Sequence, residues 1–200
     1  MPQTEAENRR IAGEDDKIHM VIAENILNRE FTADAPNQKW LTDVTEFKYY
    51  EGNTKHKVYL SAILDLYDHR IVAYTIGDSN NNHLVFSNFD DAVAQNPDAH
   101  PLFHSDRGVQ YTNRIFHAKI EAAGMVQSMS RVGKCLDNGP MEGFWGILKR
   151  ERYYGRKFTD KETLMKMIED YIEYYNNKRL QRNLGVLTPF EKYQSYLQAA

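Results

Sequence analysis

Apolar residues change their period several times along this chain, and each change marks an element. In Lys17 to Arg29, Ile18, Ile22 and Ile26 recur every fourth residue, the stripe of a short helix, while residues 1–13 are polar and unpatterned. Residues 1–36 therefore read as an N-terminal arm or linker. Three runs rich in Val, Ile, Thr and aromatics follow, Lys39 to Tyr50, Lys57 to Asp65 and Arg70 to Gly77, separated by the turn sequences Glu51-Gly52-Asn53 and Tyr67-Asp68-His69. They predict an antiparallel meander. The period then lengthens: Leu84, Val85, Phe89, Ala92 and Val93 fall at helical spacing within Asn82 to Gln95.

From there helix alternates with strand. Pro101 to His104 and Met125 to Met129 read as short strands joined through a helix over Asn113 to Ala123, a crossover that predicts a parallel pair. A helix starting near Asp137 would bury Met141, Phe144 and Leu148, with Pro140 suited to its first turn. A last long helix, Lys161 to Asn176, carries Leu164, Met167, Ile168, Tyr171 and Tyr175 at core spacing, before a basic loop and a segment opened by Thr188-Pro189. The fold class expected is α/β: a mixed five-stranded sheet, three antiparallel strands then two parallel ones, flanked by helices. Residues 37–195 form one domain on this reading, ending in a helical extension.

Composition narrows the setting. The 200 residues are 42% apolar and 12% aromatic, enough for one core, and the single cysteine, Cys135, excludes a disulfide framework and a Cys-rich zinc site. No apolar run reaches the roughly 18 residues of a membrane span, so a soluble, cytoplasmic protein is expected. Net charge is −3, from 25 basic and 28 acidic residues, which argues mildly against nucleic acid. Local clusters argue the other way: Lys149, Arg150, Arg152, Arg156 and Lys157 in one segment, Lys178, Arg179 and Arg182 in another.

Three carboxylates change the picture further. Asp43 lies inside a strand among Leu41, Val44 and Phe47, where a lone buried acid is too costly without a partner. Asp106 follows a strand end, at the carboxyl edge where open α/β sheets gather ligands. Glu142 stands one turn into its helix, with 35 residues between it and Asp106, and can reach the same edge. Oxygen-only ligands of this kind suit Mg²⁺ or Mn²⁺. The plainer readings pair Asp43 with Lys39 or Lys48 and make Glu142 a dipole-complementing acid. Each is reasonable singly and weaker for the three together.

With these residues, and the closing run Tyr175-Asn176-Asn177-Lys178-Arg179 through Leu184-Gly185-Val186-Leu187-Thr188-Pro189, the chain resembles DDE (D,D-35-E) insertion-sequence transposases with a retroviral-integrase-type catalytic core, over about residues 24–193. The resemblance implies a ribonuclease-H-like fold. It also implies Asp43, Asp106 and Glu142 as the catalytic, metal-binding triad, and two divalent cations, Mg²⁺ or Mn²⁺, as cofactors. The activity implied is DNA strand cleavage followed by strand transfer, with DNA (element ends and target) as partner and homo-oligomers assembled on it. Lys149, two turns beyond Glu142, corresponds to a basic DNA contact, and Arg179 and Arg182 are further DNA-binding candidates. End recognition is expected from a separate helix-turn-helix protein or domain, and the protein from the cytoplasm, nucleoid-associated when bound. Gly143 stands where the family commonly has serine.

Other roles are plainer. His104 could hydrogen-bond Asp106, Asn138 could cap the helix of Glu142, Asp65 and Asp68 read as turn residues, and Trp145 and Cys135 as packing. Two alternatives remain open at this point: a ribonuclease-H-like nuclease without strand transfer, and a non-catalytic DNA-binding or assembly module left from a mobile element. Metal-independent, salt-sensitive DNA binding without cleavage would mark the last.

Overall fold

The computed structural model describes residues 20–199. Strands β1 (Lys39–Glu51), β2 (Thr54–Asp65) and β3 (Ile71–Gly77) form the expected meander, followed by α1 (Asn82–Gln95), β4 (Leu102–Ser105), α2 (Arg114–Ala122) and β5 (Val126–Met129). A 3-10 turn, Cys135–Asn138, leads into α3 (Gly139–Leu148), and a π-helical turn, Lys149–Tyr153, follows it. The chain closes with α4 (Lys161–Asn177) and α5 (Pro189–Ala199). Sheet order is β3-β2-β1-β4-β5, with β1–β2 and β2–β3 antiparallel and β1–β4 and β4–β5 parallel. The mixed five-stranded sheet read from the sequence is the one observed.

Period-two alternation sends β1 side chains to two cores. Leu41, Phe47 and Tyr49 join Leu60, Phe144, Leu148, Ile168 and Tyr171 on the face covered by α3 and α4. Trp40 joins Ile63, Phe89, Phe103 and Phe116 under α1 and α2. The rings of Phe89, Phe103 and Phe116 meet edge to face, with centroids 5.3, 5.4 and 5.9 Å apart, a geometry worth roughly 0.5–1.5 kcal/mol per pair beyond burial. Local chemistry sets the helix ends. Asn81 and Asn113 accept from the backbone N–H of Leu84 and Ile115, and Thr188 with Glu191 forms a reciprocal capping box.

The helix expected over Lys17 to Arg29 is not found in its described part; Ile18 lies outside the described residues. Residues 20–27 form no helix and lie as a strap along the sheet. Val21 N–H donates to the Thr112 carbonyl, Met129 N–H donates to that of Glu24, and the N–H groups of Ile26 and Leu27 both donate to Ser128 Oγ. These long-range partners take the backbone groups that a helix would pair within its own turns. Asn28 and Arg29 then adopt φ of 44° and 64°, outside the right-handed helical region.

Candidate active site

Asp43 sits mid-strand on the β1 face that carries Leu41 and Phe47, beneath α3. Its Oδ1 accepts from the Val44 N–H at 2.8 Å and its Oδ2 from the Trp145 indole N–H at 3.0 Å. Burial pushes its pKa up to about 6; those two hydrogen bonds oppose the rise, and the charges of Asp106 and Glu142 add to it. Lys39 is engaged with Glu30 and Lys48 with Glu46, so neither supplies the cation of the plainer reading.

Asp106 follows β4, and its Oδ1 accepts from the Gly108 N–H at 2.8 Å in a tight turn. Glu142 is exposed in the first turn of α3. The three acids line one cleft of about 540 Å³, together with Arg107, Gly108, Ser130, Asn138 and the loop Arg131 to Lys134. A larger hollow of about 600 Å³ lies between Arg152, Phe158 and α4 and holds none of the triad. Among the described residues no three Asp, Glu, His or Cys side chains are grouped closely enough to enclose one metal ion. Both aspartates are turned to protein donors, so the acids share the cleft without closing on one point.

Oxygen donors alone, one of them half-buried with a raised pKa, are a set that divalent cations would stabilise. Basic groups stand at the rim. Arg107 Nε donates to the Ser130 carbonyl at 2.8 Å, and Arg131 is bound to the buried carboxylate of Asp137, which also takes Arg29 and Asn25. Arg107, Arg131 and Lys134 were not singled out from the sequence, although each lies within two residues of a glycine or an acid at a chain bend.

The basic candidates lie apart from it. Lys149 Nζ is half-buried, donating to Thr45 Oγ1 at 2.7 Å and lying 5.1 Å from the Phe47 ring centre, and burial lowers its pKa. Arg179 is paired with Glu151 at 2.8 Å. Arg179 and Arg182 line a neighbouring hollow of about 440 Å³ on the other flank of α3, with Gly143, Ile147 and Gln181.

Several auxiliary expectations change. His104 contacts Ser128 Oγ (2.8 Å) and Ser130 Oγ (3.2 Å) rather than Asp106, and burial lowers its pKa to about 4. Asn138 does not cap α3; its Nδ2 reaches across to the Thr42 carbonyl at 3.1 Å. Asp65 and Asp68 are turn residues as expected, accepting from the N–H groups of Tyr67 and Arg70, but they are also fully buried: Asp65 binds the Trp40 indole and the Asn37 N–H, and Asp68 binds the Arg70 side chain. Trp145 packs, as expected, but its N–H also holds Asp43.

The Integrase core domain family matches this chain over residues 33–135 and, in a second description of that name, over residues 142–195. An uncharacterized transposase-like protein of Haemophilus influenzae is 46% identical over 168 residues, covering 84% of this chain and 76% of its own length. The putative transposase InsK for insertion sequence element IS150 of Escherichia coli is 40% identical over 177 residues, covering 88% of this chain and 61% of its own length. Among solved structures, the HTLV-2 integrase catalytic core domain in complex with magnesium superposes with a TM-score of 0.60 at 17% identity, over 80% of this chain and 98% of that one. A simian T-cell lymphotropic virus intasome gives 0.67 at 18% identity, over 88% of this chain and 59% of that one. At these identities the structures speak for the fold alone.

Proposed function

This chain belongs to the integrase core family, in its insertion-sequence transposase branch, and from that membership we propose that it cuts DNA strands at an element's ends and joins the freed ends to target DNA. The observation that carries the proposal is Asp43: a half-buried acid with a raised pKa and no ion pair among the described residues, lining one cleft with Asp106 and Glu142. These three residues are the proposed ligands. The chemistry supplied there by a bound pair of divalent cations, Mg²⁺ or Mn²⁺, is neutralisation of charge on the attacking and leaving oxygens of an in-line displacement.

The remaining work falls to the chain's own side chains. Asp43 and Asp106, each fixed by a backbone N–H, present oriented carboxylates, and Glu142 completes the set from α3. Arg107 and Lys134 at the rim attract the phosphodiester and hold it over the acids. Lys149 uses one of its three N–H donors on Thr45, leaving two for a phosphate, and Arg182 forms no ion pair among the described residues. Both are assigned to DNA, with Arg179 beside them. In each chemical step an oxygen nucleophile, first water and then a 3′-hydroxyl, bonds to phosphorus as a P–O bond breaks. Assembly as oligomers on paired DNA ends, with end recognition by a helix-turn-helix protein or domain, belongs to the same reading. So does a site of action in the cytoplasm on the nucleoid; none of the described helices is long and apolar enough to cross a membrane.

The test is cleavage and joining on a labelled duplex carrying the element's ends, with Mn²⁺ or Mg²⁺. Wild-type protein should nick and join, and Asp43→Asn, Asp106→Asn and Glu142→Gln should each lose both activities while melting as the wild type does. Nicking without joining would favour a nuclease. Retained activity in any one variant would remove that residue from the site.

A further inference from the structure

Beside the apolar stripe of Met141, Phe144 and Leu148 that packs on the sheet, one edge of α3 carries groups that hydrogen-bond to β1. Asn138, Glu142, Trp145 and Lys149 recur at steps of four, three and four, forming one stripe from the 3-10 turn through α3 to the π-helical turn. Three of them bond to consecutive parts of β1: Asn138 to the Thr42 carbonyl, Trp145 to Asp43 Oδ2 and Lys149 to Thr45 Oγ1. The fourth is Glu142, flanked by the first two.

Trp145 is 7% exposed and its ring lies against Phe144, with centroids 5.0 Å apart. An indole has a single donor and no acceptor, so its buried N–H needs an oxygen, and the oxygen here belongs to an acid of the cleft. With Val44 N–H on Oδ1 and Trp145 N–H on Oδ2, both Asp43 oxygens are fixed while each keeps a lone pair. Rotating the carboxylate would break both bonds.

We infer that Trp145 is a positioning residue of the active site: its indole N–H sets the plane of the Asp43 carboxylate for a divalent cation. Together with Asn138, it registers the helix bearing Glu142 on the strand bearing Asp43. The inference rests on the cation-binding reading proposed above. Loss of a donor that orients a metal ligand commonly weakens metal affinity by roughly 10–100-fold.

Mn²⁺ binding by calorimetry, on wild type, Trp145→Phe and Asp43→Asn, tests it, with thermal melts as the folding control. Trp145→Phe keeps an aromatic ring and removes the donor, and it should bind Mn²⁺ at least about tenfold more weakly. A second readout avoids any variant of Trp145. The chain has two tryptophans, so Mg²⁺ should change the emission of wild-type protein and leave that of Asp43→Asn unchanged, because Trp40 is bonded to Asp65 instead. Mn²⁺ affinity of a folded Trp145→Phe protein within about twofold of wild type overturns the inference. If that variant misfolds, wild-type emission indifferent to Mg²⁺ overturns it. Absence of Mn²⁺ binding by wild type overturns the cation reading, and this inference with it.

Discussion

Replacing Asp137 with asparagine should destabilise the protein more than any single change on its surface. The Asp137 side chain is fully buried and accepts from Asn25 Nδ2 (2.9 Å), Arg29 Nε (2.6 Å), and Arg131 N, Nε and Nη2 (3.0, 2.8 and 2.8 Å). Charged hydrogen bonds contribute about 1.5–3 kcal/mol each, but these share one acceptor and do not add. Arg29 and Arg131 are 40% and 47% exposed and would regain water, which places the loss at the lower end of the range for unpairing a buried charge, about 3 kcal/mol. For a domain of this size that is a fall of about 6–12 °C in Tm.

The pH dependence has a definite sign. Arg131 above all, helped by Arg29, holds the Asp137 carboxyl well below its ordinary value of 3.8. Its contribution is therefore complete above that value and declines as pH falls below it, when the unfolded chain takes up the proton first. Thermal melts followed by circular dichroism from pH 7 downward should show a gap between wild type and Asp137→Asn that narrows below about pH 4. A Tm loss under about 2 °C at pH 7, or a gap that ignores pH, would refute the reasoning.

Two further outcomes are expected. At Gly108 an added Cβ would lie 3.0 Å from Asp106 Oδ1 and 3.1 Å from Gln110 Oε1. Gly108→Ala should thus displace the Asp106 carboxylate and slow strand nicking by about tenfold or more with little change in Tm; wild-type nicking rates would dismiss this. Arg182→Ala should reduce the slope of log K against log[salt] for duplex binding by about 0.9, one phosphate contact. An unaltered slope would return Arg182 to the solvated surface.

The elements legible in the sequence are those whose apolar period is local. The meander, α1, the α2 crossover and the buried stripes of α3 and α4 need only residues a few positions apart, and Asp43 stood out because a carboxylate interrupts a buried strand. Residues 20–29 misled because Ile22 and Ile26 keep a helical spacing while Ser128 and Thr112, about a hundred positions away, claim the backbone. Asn138 was read as a cap for the same reason: its acceptor, Thr42, is distant in sequence. Trp145 carried an unused clue, since a buried indole N–H must find an oxygen. Arg179 looked available for DNA until folding put Glu151 beside it, and no spacing rule connects the two.

The strap over residues 20–27 also bears on how copies of this protein can associate. Sheets recruit further strands at unpaired rims, and β5, four residues long, forms the rim on the parallel side. There the Met129 N–H already donates to the Glu24 carbonyl, and the Ser128 hydroxyl accepts from Ile26 and Leu27, so the strap lies along that rim and covers its Met129 end. A second copy's strand would therefore have to displace the strap to pair at the Met129 end of β5.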